Sequence, residues 1–176
     1  NLKANRNLLQ QVNETSEGQF PFATILSCID SRVSAELVFD QGLGDIFSVR
    51  IAGNFVNDDI LGSIEFACKV AGSKVVVVLG HSSCGAVKGA CDNVQLGKLT
   101  GMLAKIKPAV NSVEGVFSDK SSKNEAFVQA VADKNVELTV QAIKDNSEVL
   151  KEMLDNKEIL IVGAMYNVAT GEVVFN

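Results

Sequence analysis

Two short segments hold residue types that could bind and use a metal ion. His81, the only histidine, precedes Cys84 by three positions in Leu79-Gly80-His81-Ser82-Ser83-Cys84-Gly85. Upstream, Cys28 opens Cys28-Ile29-Asp30-Ser31-Arg32. Thiolate and imidazole are the usual donors to zinc, and three protein ligands form the catalytic pattern because a fourth position stays open. Side chains alternate along an extended segment, so Cys28, Asp30 and Arg32 would share one face. Taken singly, a histidine near a cysteine is ordinary core, and Asp-x-Arg is an ordinary surface ion pair. Their placement beside a second cysteine, each at the end of an apolar run, favours a metal site.

Those apolar runs are the elements that must position the chemistry. Lys74-Val75-Val76-Val77-Val78-Leu79 reads as a central parallel strand, covered on both faces, and Gly80 ends it. Phe22-Ala23-Thr24-Ile25-Leu26-Ser27 reads as a second strand, and Ile46–Arg50 as a third. Open parallel sheets place their sites at the carboxyl ends of strands, where both cysteine segments fall. Ser34 is expected to cap a short helix through Asp40, and Asn57 a helix over Asp58–Ala71. A helix should follow Cys84. Leu96, Leu99, Leu103 and Ile106 mark another that stops before Pro108, with a loop over 111–121. Helices over Glu125–Asp145 and Ser147–Asn156, then strands over Glu158–Met165 and Glu172–Phe175, complete the chain. Alternating strands and helices define an α/β fold, a mostly parallel β-sheet flanked by helices, in one domain over 1–176. Residues 1–17 carry Leu8, Leu9 and Val12 at helical spacing, a short amphipathic arm.

Composition narrows the classes. A net charge of −5 and 47% hydrophobic residues describe a soluble, mildly acidic protein with no basic patch for nucleic acid. No apolar stretch reaches the length of a membrane span. A cytoplasmic location is the first expectation; because the chain begins at Asn1 rather than Met, the periplasm or an organelle stays open. Four cysteines could form two disulfides, but a chain of this length does not need them. Cys68 falls on an apolar helix face with Leu61 and Ile64. Cys91 lies seven residues beyond Cys84, about 10 Å along a helix, too far to share one ion.

Cys-x-Asp-x-Arg at 28–32, Arg50-Ile51-Ala52-Gly53-Asn54, and His-x-x-Cys-Gly at 81–85 together resemble the β-class carbonic anhydrases. The resemblance runs from about Gln19 to Asp92 and implies zinc-dependent, reversible hydration of CO2 to bicarbonate. It implies Cys28, His81 and Cys84 as zinc ligands, with Asp30 and Arg32 as the catalytic dyad and Asp30 as a fourth ligand in a closed state. It nominates Gln19, Phe47, Phe66 and Gly85 as pocket residues. Phe66 stands where the plant-like branch carries a tyrosine, so one hydroxyl is missing. Some bacterial relatives bind bicarbonate beside a tryptophan three positions before the first cysteine. Ile25 stands there and the chain has no tryptophan, so the plant-like branch is expected. A homodimer or dimer of dimers is implied, with an N-terminal arm of which 1–17 would be a truncated part.

Charge shapes the expected chemistry. Two thiolates cancel the charge of a zinc ion, so its bound water should be less acidic than in an all-histidine site. Asp30 could orient the resulting hydroxide, and Arg32 could hold Asp30 by paired hydrogen bonds. Alternative readings are a carbon disulfide or carbonyl sulfide hydrolase on the same scaffold, or a closed, non-catalytic zinc domain with Asp30 as permanent fourth ligand. A cysteine nucleophile with His81 as base would leave the Cys28-Asp30-Arg32 face unused.

Overall fold

The valine run forms the middle strand of a five-stranded sheet in the computed structural model, which describes residues 7–113, 115 and 117–176. The strands are β1 (Ala23–Ser27), β2 (Ile46–Arg50), β3 (Val75–His81), β4 (Leu160–Tyr166) and β5 (Val173–Phe175), in spatial order β2-β1-β3-β4-β5. The first four are mutually parallel, and β5 returns antiparallel on β4 at one edge. Ser27 pairs with Leu79, so the two cysteine segments leave adjacent strands at nearly the same level.

Period two explains the sheet's two faces. Leu26, Val76 and Val78 face one way, into a core with Ile64, Ile143, Leu150 and Met153. Ile25, Val77 and Leu79 face the other, against Val33, Ala35 and Phe39. Burying each such side chain contributes about 1.5–3 kcal/mol. The helices are α1 (Leu8–Glu14), α2 (Ala35–Val38), α3 (Asp58–Glu65), α4 (Gly85–Cys91), α5 (Gly97–Ala104), α6 (Lys107–Val113), α7 (Glu125–Asn146) and α8 (Glu148–Asp155). The long α7 packs along β3 and β4. Gly80 makes that approach close: a Cβ there would lie 2.5 Å from Val136. A third apolar cluster, beyond the strand ends, joins Cys28 and Cys84 to Val87, Ile106, Phe127 and Val131.

Several boundaries differ from the sequence reading. Pro108 lies in the first turn of α6, where no N–H is needed, so the helix runs to Val113 through part of the expected loop. The helix capped by Asn57 ends as α3 at Glu65 and continues as a π turn over Phe66–Val70. Ser34 precedes α2 but makes no capping bond; its hydroxyl donates to Glu36. Asn57, Asn124 and Ser147 do cap, each accepting a backbone N–H. Of the arm expected over 1–17, residues 1–6 lie outside the described residues. The α1 helix buries no side chain, and Leu9 is 72% exposed.

Candidate metal centre

β1 delivers Cys28 and β3 ends on His81; a tight turn then carries the chain to Cys84, just before α4. Ser83 in that turn has φ +55°, a left-handed conformation. Cys28, His81 and Cys84 are all buried, and their ligand atoms lie within 4.8 Å of one another. The two sulfurs are 3.9 Å apart, far beyond a disulfide bond. Two thiolates at about 2.3 Å from a tetrahedral zinc stand roughly 3.8 Å apart, so the spacing fits that ion. The histidine fits as well. Nδ1–H donates to the Ser82 carbonyl at 2.9 Å, which leaves Nε2 as the lone-pair nitrogen. Nε2 is buried without a hydrogen-bond partner and faces Asp30 Oδ2 at 3.9 Å. A buried, unpaired nitrogen is what a metal ligand leaves behind.

Asp30 and Arg32 meet as well. Arg32 donates Nε to Oδ1 at 2.9 Å and Nη2 to Oδ2 at 2.8 Å, and its main-chain N–H donates to Oδ1 at 3.0 Å. This bidentate pair holds the Asp30 carboxyl well below the usual carboxylate range. The sulfurs divide unequally. The hydrogen bond shared with Cys84 lowers the Cys28 thiol, helped by the Gly53 N–H, against the opposing effect of burial. The same bond and burial push Cys84 up, opposed by the first N–H groups of α4.

The nominated pocket residues are distributed differently. Gly85 starts α4 directly after Cys84. Phe47 and Phe66 meet each other edge-on at 6.3 Å, in a groove on the open β2 side lined also by Val49, Gly62 and Ser63. Gln19 is exposed ahead of β1. Sequence reading gave no role to Arg50, Gly53 or Asn135. Arg50 donates to the carbonyls of Cys28 at 2.9 Å and Asp30 at 2.7 Å, bracing the strand tail from β2. Its signal was present in the Arg50–Asn54 motif. Asn135 could be found only as a lone amide among the buried side chains of α7. Cys68 and Cys91 are buried in apolar clusters, as expected, with burial raising both thiols to about 11.

An open, mostly parallel sheet carrying two thiolates and one imidazole at its carboxyl edge defines an α/β metalloprotein of the catalytic type. The model of the carbonic anhydrase family matches residues 23–173, and the chain belongs to that family, in its β class. Carbonic anhydrase 2 of Mycobacterium tuberculosis is 39% identical over 159 residues, covering 89% of this chain and 75% of that protein. The carbonic anhydrase of Mycolicibacterium smegmatis is 36% identical over 163 residues, covering 90% and 76%. Among solved structures, the β-carbonic anhydrase CafA of Aspergillus fumigatus superposes with a TM-score of 0.87 at 26% identity. That match covers 96% of this chain and 81% of CafA.

Proposed function

We propose that this carbonic anhydrase interconverts CO2 and bicarbonate with release of a proton, with Cys28, His81 and Cys84 holding zinc and Asp30 and Arg32 orienting the nucleophile. One observation carries the reading: a carboxylate with both oxygens fixed by Arg32 stands 3.9 Å from the unpaired nitrogen of His81, beside two sulfurs. Zinc held there by Cys28, His81 and Cys84 would supply Lewis acidity, lowering the pKa of water so that it can serve as the nucleophile.

The chain's own residues do the rest. Ser82 fixes the histidine tautomer, so Nε2 is a ready lone pair. Arg32 keeps Asp30 ionised, so the carboxylate can only accept a hydrogen bond. An acceptor of fixed orientation directs the nucleophile's remaining lone pair toward the CO2 carbon. Arg50 holds the carbonyls on both sides of Ile29, so Cys28 and Asp30 keep their relative placement. A permanently closed zinc domain fits less well: both Asp30 oxygens are engaged by Arg32, and the donor atoms that come together are those of Cys28, His81 and Cys84 without Asp30.

The second copy belongs to this proposal. β2 is an edge strand, and the exposed aromatics Phe20 (87%), Phe22 (54%) and Phe66 (50%) leave an apolar surface that a homodimer would cover. Gln19, Phe47 and Phe66 would then line the CO2 pocket at that junction. Four free cysteines, all buried and unpaired, support a reducing compartment such as the cytoplasm. No helix among the described residues is long and apolar enough to cross a membrane. Ile25, together with Asp30 paired to Arg32, supports the branch without the bicarbonate lock. The test is CO2 hydration by purified protein with zinc measured in the same sample. Zinc-loaded protein that leaves CO2 hydration at the uncatalysed rate would refute the assignment.

A further inference from the structure

Asn135 occupies the buried face of α7, 3% exposed, with Val131, Ala132 and Val136 as buried neighbours. An amide in such a place is unfavourable by about 1–3 kcal/mol unless it is paired. Its partner lies 82 residues away in sequence: Nδ2 donates to the Gly53 carbonyl at 2.8 Å. Gly53 has φ +81°, and a Cβ there would lie 2.5 Å from Ile106. Asn54, which follows, is also left-handed at φ +41° and is buried. The turn closes with the Asn54 N–H on the Ile51 carbonyl at 2.9 Å. Successive left-handed residues, one of them not glycine, do not hold themselves in place. Gly53 is instead held at both of its polar groups, because its own N–H points at Cys28 Sγ at 3.4 Å.

We infer that Asn135 is a positioning residue for the metal centre, holding the Gly53 turn so that the Gly53 N–H stays aimed at the Cys28 sulfur. The inference rests on Cys28 being a metal ligand. A hydrogen bond to a thiolate withdraws charge from it, so the sulfur donates less strongly to the ion. A looser turn would make Cys28 more electron-rich and less well fixed. Outer partners of metal ligands typically govern affinity or activity by about 10–100-fold. The link reaches the metal site from α7, through one amide and one glycine.

The experiment substitutes cobalt for zinc and follows the sulfur-to-cobalt charge-transfer band in the parent and Asn135→Leu. Leucine is close to asparagine in size and cannot donate to Gly53. In the folded variant the band should move to lower energy. Zinc affinity by chelator competition should fall by about tenfold, and the midpoint of the kcat/KM–pH profile should rise. Thr139→Val, which removes another buried polar group of α7, should move none of the three. A folded Asn135 variant with parental band, affinity and midpoint would overturn the inference. In the unmutated protein loaded with cadmium-113, the Gly53 amide proton should couple to the metal through the sulfur. Absence of that coupling would overturn it even if no variant folds. A parent protein with no sulfur-to-cobalt band at all would instead remove the metal-site reading itself.

Discussion

Replacing Arg32 by alanine separates the two roles an Asp-Arg pair can have. The substitution removes the bonds at 2.9 and 2.8 Å but leaves the main-chain N–H on Oδ1 at 3.0 Å. For stability the loss should be small. The Arg32 side chain is 51% exposed, so solvent screening brings the pair toward about 1 kcal/mol or less. For catalysis it should be large. A positioned group displaced by about 1 Å can lower rates roughly 100-fold, and one of three anchoring bonds survives here. The expected fall in kcat/KM is therefore about 10–100-fold, or about 1.4–2.8 kcal/mol of barrier. Arg32→Lys should recover only part, since a point charge does not span two oxygens as a guanidinium does. The assay is stopped-flow CO2 hydration with zinc quantified in the same samples. Parental zinc content is expected throughout. If Arg32→Ala stayed within twofold of the parent with its zinc intact, the pair would be a surface ion pair and the orienting role would be wrong.

Further outcomes follow from the same geometry. Cys84→Ser should release most of the zinc, and Cys28→Ser, Cys84→Ser protein should bind almost none in a dialysis-equilibrated metal analysis. With His81 committed to the metal site and no other histidine in the chain, proton export should depend on external carriers. Raising imidazole-type buffer at constant pH and ionic strength should therefore raise kcat and leave kcat/KM nearly unchanged; a flat kcat would reveal an internal relay. Asp92 accepts bonds from the Ser122 N–H at 2.8 Å and hydroxyl at 2.5 Å, which lower its pKa. A depressed carboxylate stabilises above its unfolded value of about 3.9 and loses that contribution as pH falls through the folded value. The Tm deficit of Ser122→Ala should accordingly be present at pH 7 and shrink below about pH 4.

The parts of this molecule legible from its sequence are those governed by short-range pattern. The Val75–Leu79 run could only be a strand covered on both sides, and the ligands followed it at fixed spacing. Asn57 and Ser147 announced their helices by chemistry that acts within one turn. Pro108 misled because a proline that ends one helix can equally begin the next, and only the packing of Ala109 and Val110 into the core decides. The π turn at Phe66–Val70 has no local signal, since one extra residue per turn is a tertiary accommodation. Gln19, Phe47 and Phe66 came from family resemblance, and their alignment alone could not say that two of them meet on an open edge. The Asn135–Gly53 bond joins residues 82 apart, and no window of local sequence contains both.

Gly80 has a consequence for folding fidelity. Four consecutive valines in β3 are nearly blind to sliding: a two-residue shift against β1 would return apolar side chains to the same faces. The strand therefore carries almost no internal landmark, and its alignment must be indexed from outside. Gly80 is such an index mark. A two-residue shift would bring Val78 or Ser82 under Val136, where even a Cβ has only 2.5 Å. The ligands provide a second mark, since the same shift would carry His81 about 7 Å along the strand from Cys28 and break up the donor set. Glycine and metal thus act as two independent checks on one frame. A chain in which Gly80 became valine would carry that 2.5 Å contact in the native frame itself, so the mark would no longer distinguish the correct alignment from a shifted one.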